Sequence, residues 1–264
     1  MINQMIKENK IYNEDCLDTM AKMPDNFVDL IITSPPYDNL RIYKDNGNTF
    51  KFEQIAKELY RVTAKGGIVV WVVGDGTIKG SETGTSFKQA LYFKDEVGFR
   101  LHDTMIYQKA NFSNPSSNRY HQIFEYMFVF SKGKPKTFNP IKDRKNIGKM
   151  IFGQDNTIRQ KDGSMKTRKW KKYADYGMRY NIWRMNTVGQ ENPCTSNKHP
   201  AMFPEALAND HILSWTNKGD LVYDPLLGSG TVAKMALIND RKFIGSEISK
   251  EYCKLAEERI KDYI

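Results

Sequence analysis

Cysteine is scarce in this chain. Only Cys16, Cys194 and Cys253 occur among 264 residues, and so sparse and odd a set excludes a disulfide framework and fits a reducing compartment. The four histidines have no nearby cysteine pairs, so no metal-site spacing is present. No apolar run approaches the roughly 18 residues of a spanning helix. The opening Met1-Ile2-Asn3-Gln4-Met5 lacks the apolar stretch of a secretory leader. A Gly-Lys-Ser/Thr phosphate loop is absent as well, which argues against a triphosphate ligand. The expectation is a cytoplasmic protein without metal or membrane association.

Charge is present in ordinary amount, 27% of residues, but is unevenly placed. Between Lys132 and Arg184 there are 16 Lys/Arg against four Asp, a net of +12, while the whole chain carries +9. The remainder is therefore slightly acidic, at −3. A basic excess confined to one internal segment suits contact with a polyanion, and nucleic acid is the commonest one. A solvated, mobile loop is the competing explanation.

Outside that segment, strands and helices alternate. Phe27–Thr33 is a short apolar run that stops at two prolines, as a buried strand would. Phe52–Val62 has helical spacing, Gly66-Gly67 punctuate, and Ile68–Val73 reads as a second buried strand. A helix over Ser86–Val97 and strands over Arg100–Lys109 and Ile123–Ser131 follow. From Gly133 to Trp183 no period holds, which predicts a small insert. Regularity resumes with a helix over Pro204–Trp215, strands over Asp220–Asp224 and Phe243–Glu247 with a helix between them, and a terminal helix over Glu251–Tyr263. This alternation predicts a mostly parallel α/β sheet. The expected boundaries are 1–132 and 185–264 for the main domain and 133–184 for the insert.

Three clusters carry chemistry. Thr33-Ser34-Pro35-Pro36-Tyr37 directly follows a buried strand, where open α/β sheets bind ligands. Two prolines remove two N–H donors and stiffen the chain, leaving carbonyl acceptors in fixed geometry. With a hydroxyl and an aromatic ring beside them, they suit a planar ring bearing an amino group; a rigid turn is the plainer alternative. Asp224-Pro225-Leu226-Leu227-Gly228-Ser229-Gly230-Thr231 runs from strand through glycine loop to helix, offering close backbone approach and free N–H groups. Glu247 ends the next strand, where a ribose diol is commonly held. Asn13-Glu14-Asp15-Cys16-Leu17 offers Asp15 as an acceptor for an adenine amino group, or as an ordinary turn residue. Asp75 ends strand Ile68–Val73 and either faces a cleft or closes a turn. His121 and Glu125 are explained by sheet-surface pairing.

Taken in order, Asp15-Cys16, the Asp29–Tyr37 stretch, the basic insert, His199-Pro200, Phe203-Pro204, Asp224-Pro225, Gly228–Thr231 and Glu247 resemble the amino-group DNA methyltransferases, in their beta arrangement. The resemblance covers nearly all of the chain outside Gly133–Trp183. It implies a Rossmann-like, mainly parallel seven-stranded sheet with one reversed strand, a circularly permuted methyltransferase fold with a basic target-recognition insert. Arg100–Lys109 and Ile123–Ser131 would form the hairpin containing the reversed strand. It implies S-adenosylmethionine as cofactor, with Ser34, Pro35, Pro36 and Tyr37 in the catalytic pocket. Asp224, Pro225, Gly228, Ser229, Gly230 and Thr231 would wrap its methionine part. Glu247 would take the ribose hydroxyls, Asp15 and Cys16 would lie against adenine, and His199 and Phe203 would close the pocket.

Double-stranded DNA is the partner so implied, with Lys169, Lys171, Lys172, Arg179 and Arg184 as its candidate contacts. A homodimer and a restriction endonuclease in the same system are left open. Ser before Pro-Pro-Tyr leans toward cytosine N4, with adenine N6 as the alternative. Cytosine C5 chemistry would need a cysteine nucleophile, and the only Pro-Cys pair, Pro193-Cys194, lies away from both strand-end motifs. A non-catalytic DNA-binding module on the same fold is the rival from another class, against which the intact pocket and loop argue. RNA or a protein glutamine is open as substrate, and the concentrated basic insert favours nucleic acid.

Overall fold

The computed structural model describes residues 6–36, 50–112, 117–146, 156–168, 174–186 and 204–264. One sheet of eight strands organises the larger of two compact units, which comprises residues 1–139 and 181–264. In chain order the strands are β1 (Lys10–Tyr12), β2 (Val28–Thr33), β3 (Thr63–Val73), β4 (Arg100–Lys109), β5 (Phe124–Ser131), β6 (Ile182–Met185), β7 (Leu221–Asp224) and β8 (Lys242–Ser246). Their spatial order is β1-β8-β7-β2-β3-β5-β4-β6. Only β5 runs against the rest, pairing antiparallel with both β3 and β4.

Helices cover both faces, as parallel strands require. The period of two sorts each strand between the faces. Leu30, Ile32, Val70 and Val72 point to a core that also holds Leu207 and Ile212 of α4 (Glu205–Trp215), Val232 and Ala236 of α5 (Thr231–Ile238) and Ala256 of α6 (Lys250–Ile260). Ile31, Val69, Trp71 and Val73 point the other way, to Met20 of α1 (Cys16–Ala21) and to Ile55, Leu59 and Val62 of α2 (Phe52–Val62). Each fully buried side chain of this size contributes about 1.5–3 kcal/mol. The carbonyls at the end of helix α1 are held from inside and outside: Met20 O accepts the Met23 N–H at 2.9 Å, and Arg61 of α2 donates to Met20 O at 2.6 Å and to Met23 O at 2.9 Å.

One expectation needs correcting: Gly66-Gly67 do not precede the strand, since β3 begins at Thr63 and runs through them. The second compact unit spans residues 140–180. Phe138 stacks on Trp215 of α4, with centroids 4.9 Å apart. Residues 182–185 form β6, at the edge of the large sheet, which buries Trp183 and Met185 and exposes Ile182 and Arg184. A strand of four residues is too short to show a period. In the smaller unit, Asn156–Arg159 pairs antiparallel with Met165–Arg168, and Arg144–Lys145 with Tyr176–Gly177.

His211 of α4 sits wholly inside the first core, its ring 4.5 Å from that of Trp183. Nε2 lies 3.4 Å from the Met127 sulfur, and Nδ1 has no hydrogen-bond partner among the described residues. Burial pushes its pKa down from 6.5 to about 3, so the folded ring stays neutral while the unfolded ring protonates. The neutral ring's stability is fully present above pH 6.5 and is lost as pH falls toward about 3. Denaturant unfolding of wild type and His211→Phe at about pH 7 and about pH 5 should show the wild type losing more stability on acidification. Equal losses would mean the folded ring takes up its proton as readily as in water.

Candidate active site

The parallel strands end on one edge of the sheet, and the sequence clusters emerge there. Asn13–Cys16 follow β1, Ser34-Pro35-Pro36 follow β2, the glycine loop follows β7 and Glu247 follows β8. Strands β2 and β7 are direct neighbours, with Val222 opposite Leu30 and Tyr223 opposite Ile31. The two strand ends are bonded to each other through side chains. Thr33 Oγ1 donates to Asp224 Oδ1 at 2.9 Å, and the same oxygen accepts the Leu226 N–H at 3.0 Å. Both Thr33 and Asp224 are buried. Burial pushes the Asp224 carboxyl up from 3.8 to about 7, against the two hydrogen bonds, and nearby Glu247 adds to the rise. Next to Thr33, Ser34 is half-buried and Pro35 buried.

The glycine loop is shaped by its neighbours. Gly228 and Gly230 have φ of 52° and 81°, a region costly for residues with a Cβ. At Gly230 a Cβ would also come within 2.8 Å of the Ala256 Cβ on α6. That glycine is therefore required by helix packing, where the sequence suggested close approach to a ligand. Glu247 fastens the loop from the β8 side. Its Oε2 accepts the Gly228 N–H at 2.8 Å and its Oε1 the Ser249 N–H at 2.7 Å. Asn13 Nδ2 donates to the Glu247 and Ile248 carbonyls at 2.9 and 3.0 Å, joining the ends of β1 and β8.

Several candidate residues have structural employment. Asp15 caps α1, accepting the Leu17 N–H at 2.8 Å. Cys16 is buried beneath it, and burial, then Asp15, push its thiol up to about 12, so it remains protonated. Ser229 and Thr231 turn their hydroxyls onto Arg259 of α6, which donates to them at 2.8 and 3.2 Å. Asp75 closes a turn: it accepts the Ser86 N–H at 2.9 Å, and the Ser86 hydroxyl as well. Glu125 pairs with Lys109 at 2.5 Å, and His121 stacks on Phe112. In the smaller unit Arg179 Nε donates to Asp143 at 2.9 Å, holding that carboxyl below its ordinary range. Arg184 is exposed on edge strand β6. Tyr37, Lys169, Lys171, Lys172, Cys194, His199 and Phe203 lie outside the described residues.

Thr33 and Asn13 stood inside clusters singled out in the sequence but were given no role there; Glu205 and Arg259 carried no signal. Among the described residues no group of His, Cys, Asp or Glu converges as a metal would require.

The doubly wound sheet brings a glycine loop, a strand-end acid and a Ser-Pro-Pro segment to neighbouring strand ends. Residues 28–258 match the DNA methylase family, to which the chain belongs. It is 58% identical over 243 residues to the orphan methyltransferase M.BamHII of Bacillus amyloliquefaciens, covering 90% of each chain. Among solved structures, the cytosine-N4-specific PvuII DNA methyltransferase superposes with a TM-score of 0.71 at 22% identity, over 97% of this chain and 87% of that one. The M1.HpyAVI-SAM complex superposes with a TM-score of 0.61 at 24% identity, over 95% and 98% of the respective chains.

The Asp224 carboxyl supplies a pH test. With its folded value raised, stability is fully present below 3.8 and is lost as pH rises through about 7. Asp224→Asn keeps an acceptor for Thr33 and cannot ionise. Its melting temperature should gain on the wild type between about pH 4 and about pH 7. Parallel melting curves across that window would show a carboxyl that ionises as in water.

Proposed function

We propose that this enzyme transfers a methyl group from S-adenosylmethionine to the exocyclic amino nitrogen of a base flipped out of duplex DNA, with cytosine N4 as the target. The observation that carries this is the buried Thr33–Asp224 bond, which ties the Ser-Pro-Pro segment to the glycine loop at adjacent strand ends. A base held at one would lie beside a cofactor held at the other.

The residues present fit that cofactor. The first turn of α5 offers free N–H groups to the methionine carboxylate. Glu247, a carboxylate at the end of β8 beside the loop, would take the ribose hydroxyls. The lack of a phosphate loop agrees with a nucleoside that bears no phosphate. S-adenosylmethionine supplies an electrophilic methyl group, and the chain's own residues prepare the acceptor. The amino nitrogen is a poor nucleophile because its lone pair is delocalised into the ring. Hydrogen bonds from its two hydrogens to the Ser34 hydroxyl and the Pro35 carbonyl favour a tetrahedral nitrogen with a localised lone pair. These bonds strengthen as charge develops, so they lower the barrier rather than only bind. Flipping makes the atom accessible, and Tyr37 replaces the lost stacking. The lean to cytosine rests on Ser rather than Asp or Asn standing before Pro-Pro-Tyr in the resembled family; the neutral hydroxyl of Ser34 alone does not choose the ring.

The unit at 140–180 is the target-recognition part. Lys142, Lys145, Arg159 and Lys166 are exposed on it and supply phosphate contacts. Arg179 would first have to leave Asp143.

Ser34→Ala should lower kcat by at least about 10-fold, in proportion to a lost charge-assisted bond, with cofactor affinity retained. Glu247→Ala should weaken cofactor binding by about 10-fold or more. Full turnover in the first, or unchanged calorimetric affinity in the second, would remove that residue from the site. Nucleosides released from methylated DNA should contain N4-methylcytosine. N6-methyladenine would move the target and keep the amino chemistry, whereas 5-methylcytosine would overturn the mechanism. Replacing Lys142 and Lys145 with Ala should weaken binding to all sequences alike and flatten the slope of log affinity against log salt by about 1–2. Coincident slopes would show that these two lysines do not touch phosphate.

A further inference from the structure

A loop holding two glycines in the left-handed region has little intrinsic preference for one shape. The chain therefore has to hold it from outside. Glu247 does so on one side, accepting from Gly228 N–H. On the other side stands Arg259, near the end of α6. Its Nη1 donates to the Ser229 carbonyl at 2.7 Å, the Ser229 hydroxyl at 2.8 Å and the Thr231 hydroxyl at 3.2 Å. Its Nη2 donates to Glu205 Oε1 at 2.8 Å, and Lys234 Nζ reaches the same oxygen at 2.7 Å. The Arg259 side chain is only 16% exposed.

Helix stability explains this placement only in part: Arg259 lies in the last turn of α6, where a cation suits that helix's dipole. A cation beside the N-terminus of α5 opposes the positive end of the helix dipole. Glu205 offsets that repulsion and orients the guanidinium. What Arg259 secures is the direction of the Ser229 carbonyl and, through the shared peptide unit, of the Gly230 N–H, which closes the loop onto the Leu227 carbonyl at 3.0 Å. A flexible lysine would reach one acceptor as a point charge; the planar fork reaches the loop and Glu205 at once.

We propose that Arg259 is a positioning residue for the cofactor: with Glu205 as its counter-ion, it holds the Gly228–Thr231 loop in binding shape without touching the ligand. The proposal rests on the assignment of that loop to S-adenosylmethionine, and the experiment separates the two. Calorimetry with S-adenosylhomocysteine is run on wild type, Arg259→Met, Arg259→Lys and Glu205→Gln, beside melting temperatures and steady-state kinetics. Arg259→Met should bind S-adenosylhomocysteine about 10–100-fold more weakly, the equivalent of losing hydrogen bonds from a charged donor. The KM for S-adenosylmethionine should rise in parallel, while kcat at saturation and DNA affinity stay within about threefold. Arg259→Lys should recover part of the affinity, and Glu205→Gln should lose less than Arg259→Met.

If Arg259→Met fails to fold, Arg259→Lys decides: about 3–10-fold weaker binding supports the proposal. Affinity within twofold of wild type in the folded Arg259 variant overturns it. A kcat that falls while cofactor affinity holds also overturns it. A wild-type protein that does not bind S-adenosylhomocysteine sinks the cofactor assignment instead.

Discussion

A buried hydrogen bond of 2.9 Å between Thr33 and Asp224 is the contact on which the functional edge depends. It spans 191 positions of sequence and one strand spacing of the sheet. Two loops that would otherwise move independently leave their strands already coupled. The arrangement carries a cost, because Asp224 is a carboxyl inside the protein with its ionisation suppressed by burial. Two donors to one of its oxygens offset part of that cost. A hydrophobic pair there would pack as well but would leave the Leu226 N–H without this acceptor.

The outer supports follow the same logic. Glu247 answers the donors of the glycine loop, Arg259 answers its acceptors, and Asn13 fastens the end of β1 to that of β8. Four strand ends thus become one continuous hydrogen-bonded rim, built almost wholly from side chains bonding to backbone. Such bonds fix direction as well as distance, which hydrophobic contact alone does not do.

Much of this was legible in the sequence where local signals are strong. The apolar run at Phe27–Thr33 emerges as strand Val28–Thr33, and the helical spacing at Phe52–Val62 and the strand over Arg100–Lys109 emerge as read. The first two keep a buried face along their whole length, so periodicity reports them, whereas Arg100–Lys109 buries only Met105 and Tyr107. Strands β1 and β6 did not emerge, because three or four residues carry no period and their stability comes from neighbours distant in sequence. Arg259 and Glu205 were invisible for a related reason: on a polar helix surface, an arginine bonded to a loop is indistinguishable from a solvated one. Ser229, Thr231 and Asp15 were visible as residue types, but the partners of their side chains depend on which helices pack nearby.

Asn139 and Asn181 flank the smaller unit, and both are riveted to the sheet-bearing unit. Asn139 donates to the Leu213 and Thr216 carbonyls, Asn181 to the Asp103 side chain and the Thr104 carbonyl. The two rivets let the main framework close on itself irrespective of what lies between them. Residues 140–180 therefore leave and rejoin the sheet-bearing unit at two fixed points, so the length of chain between them can change without moving either point.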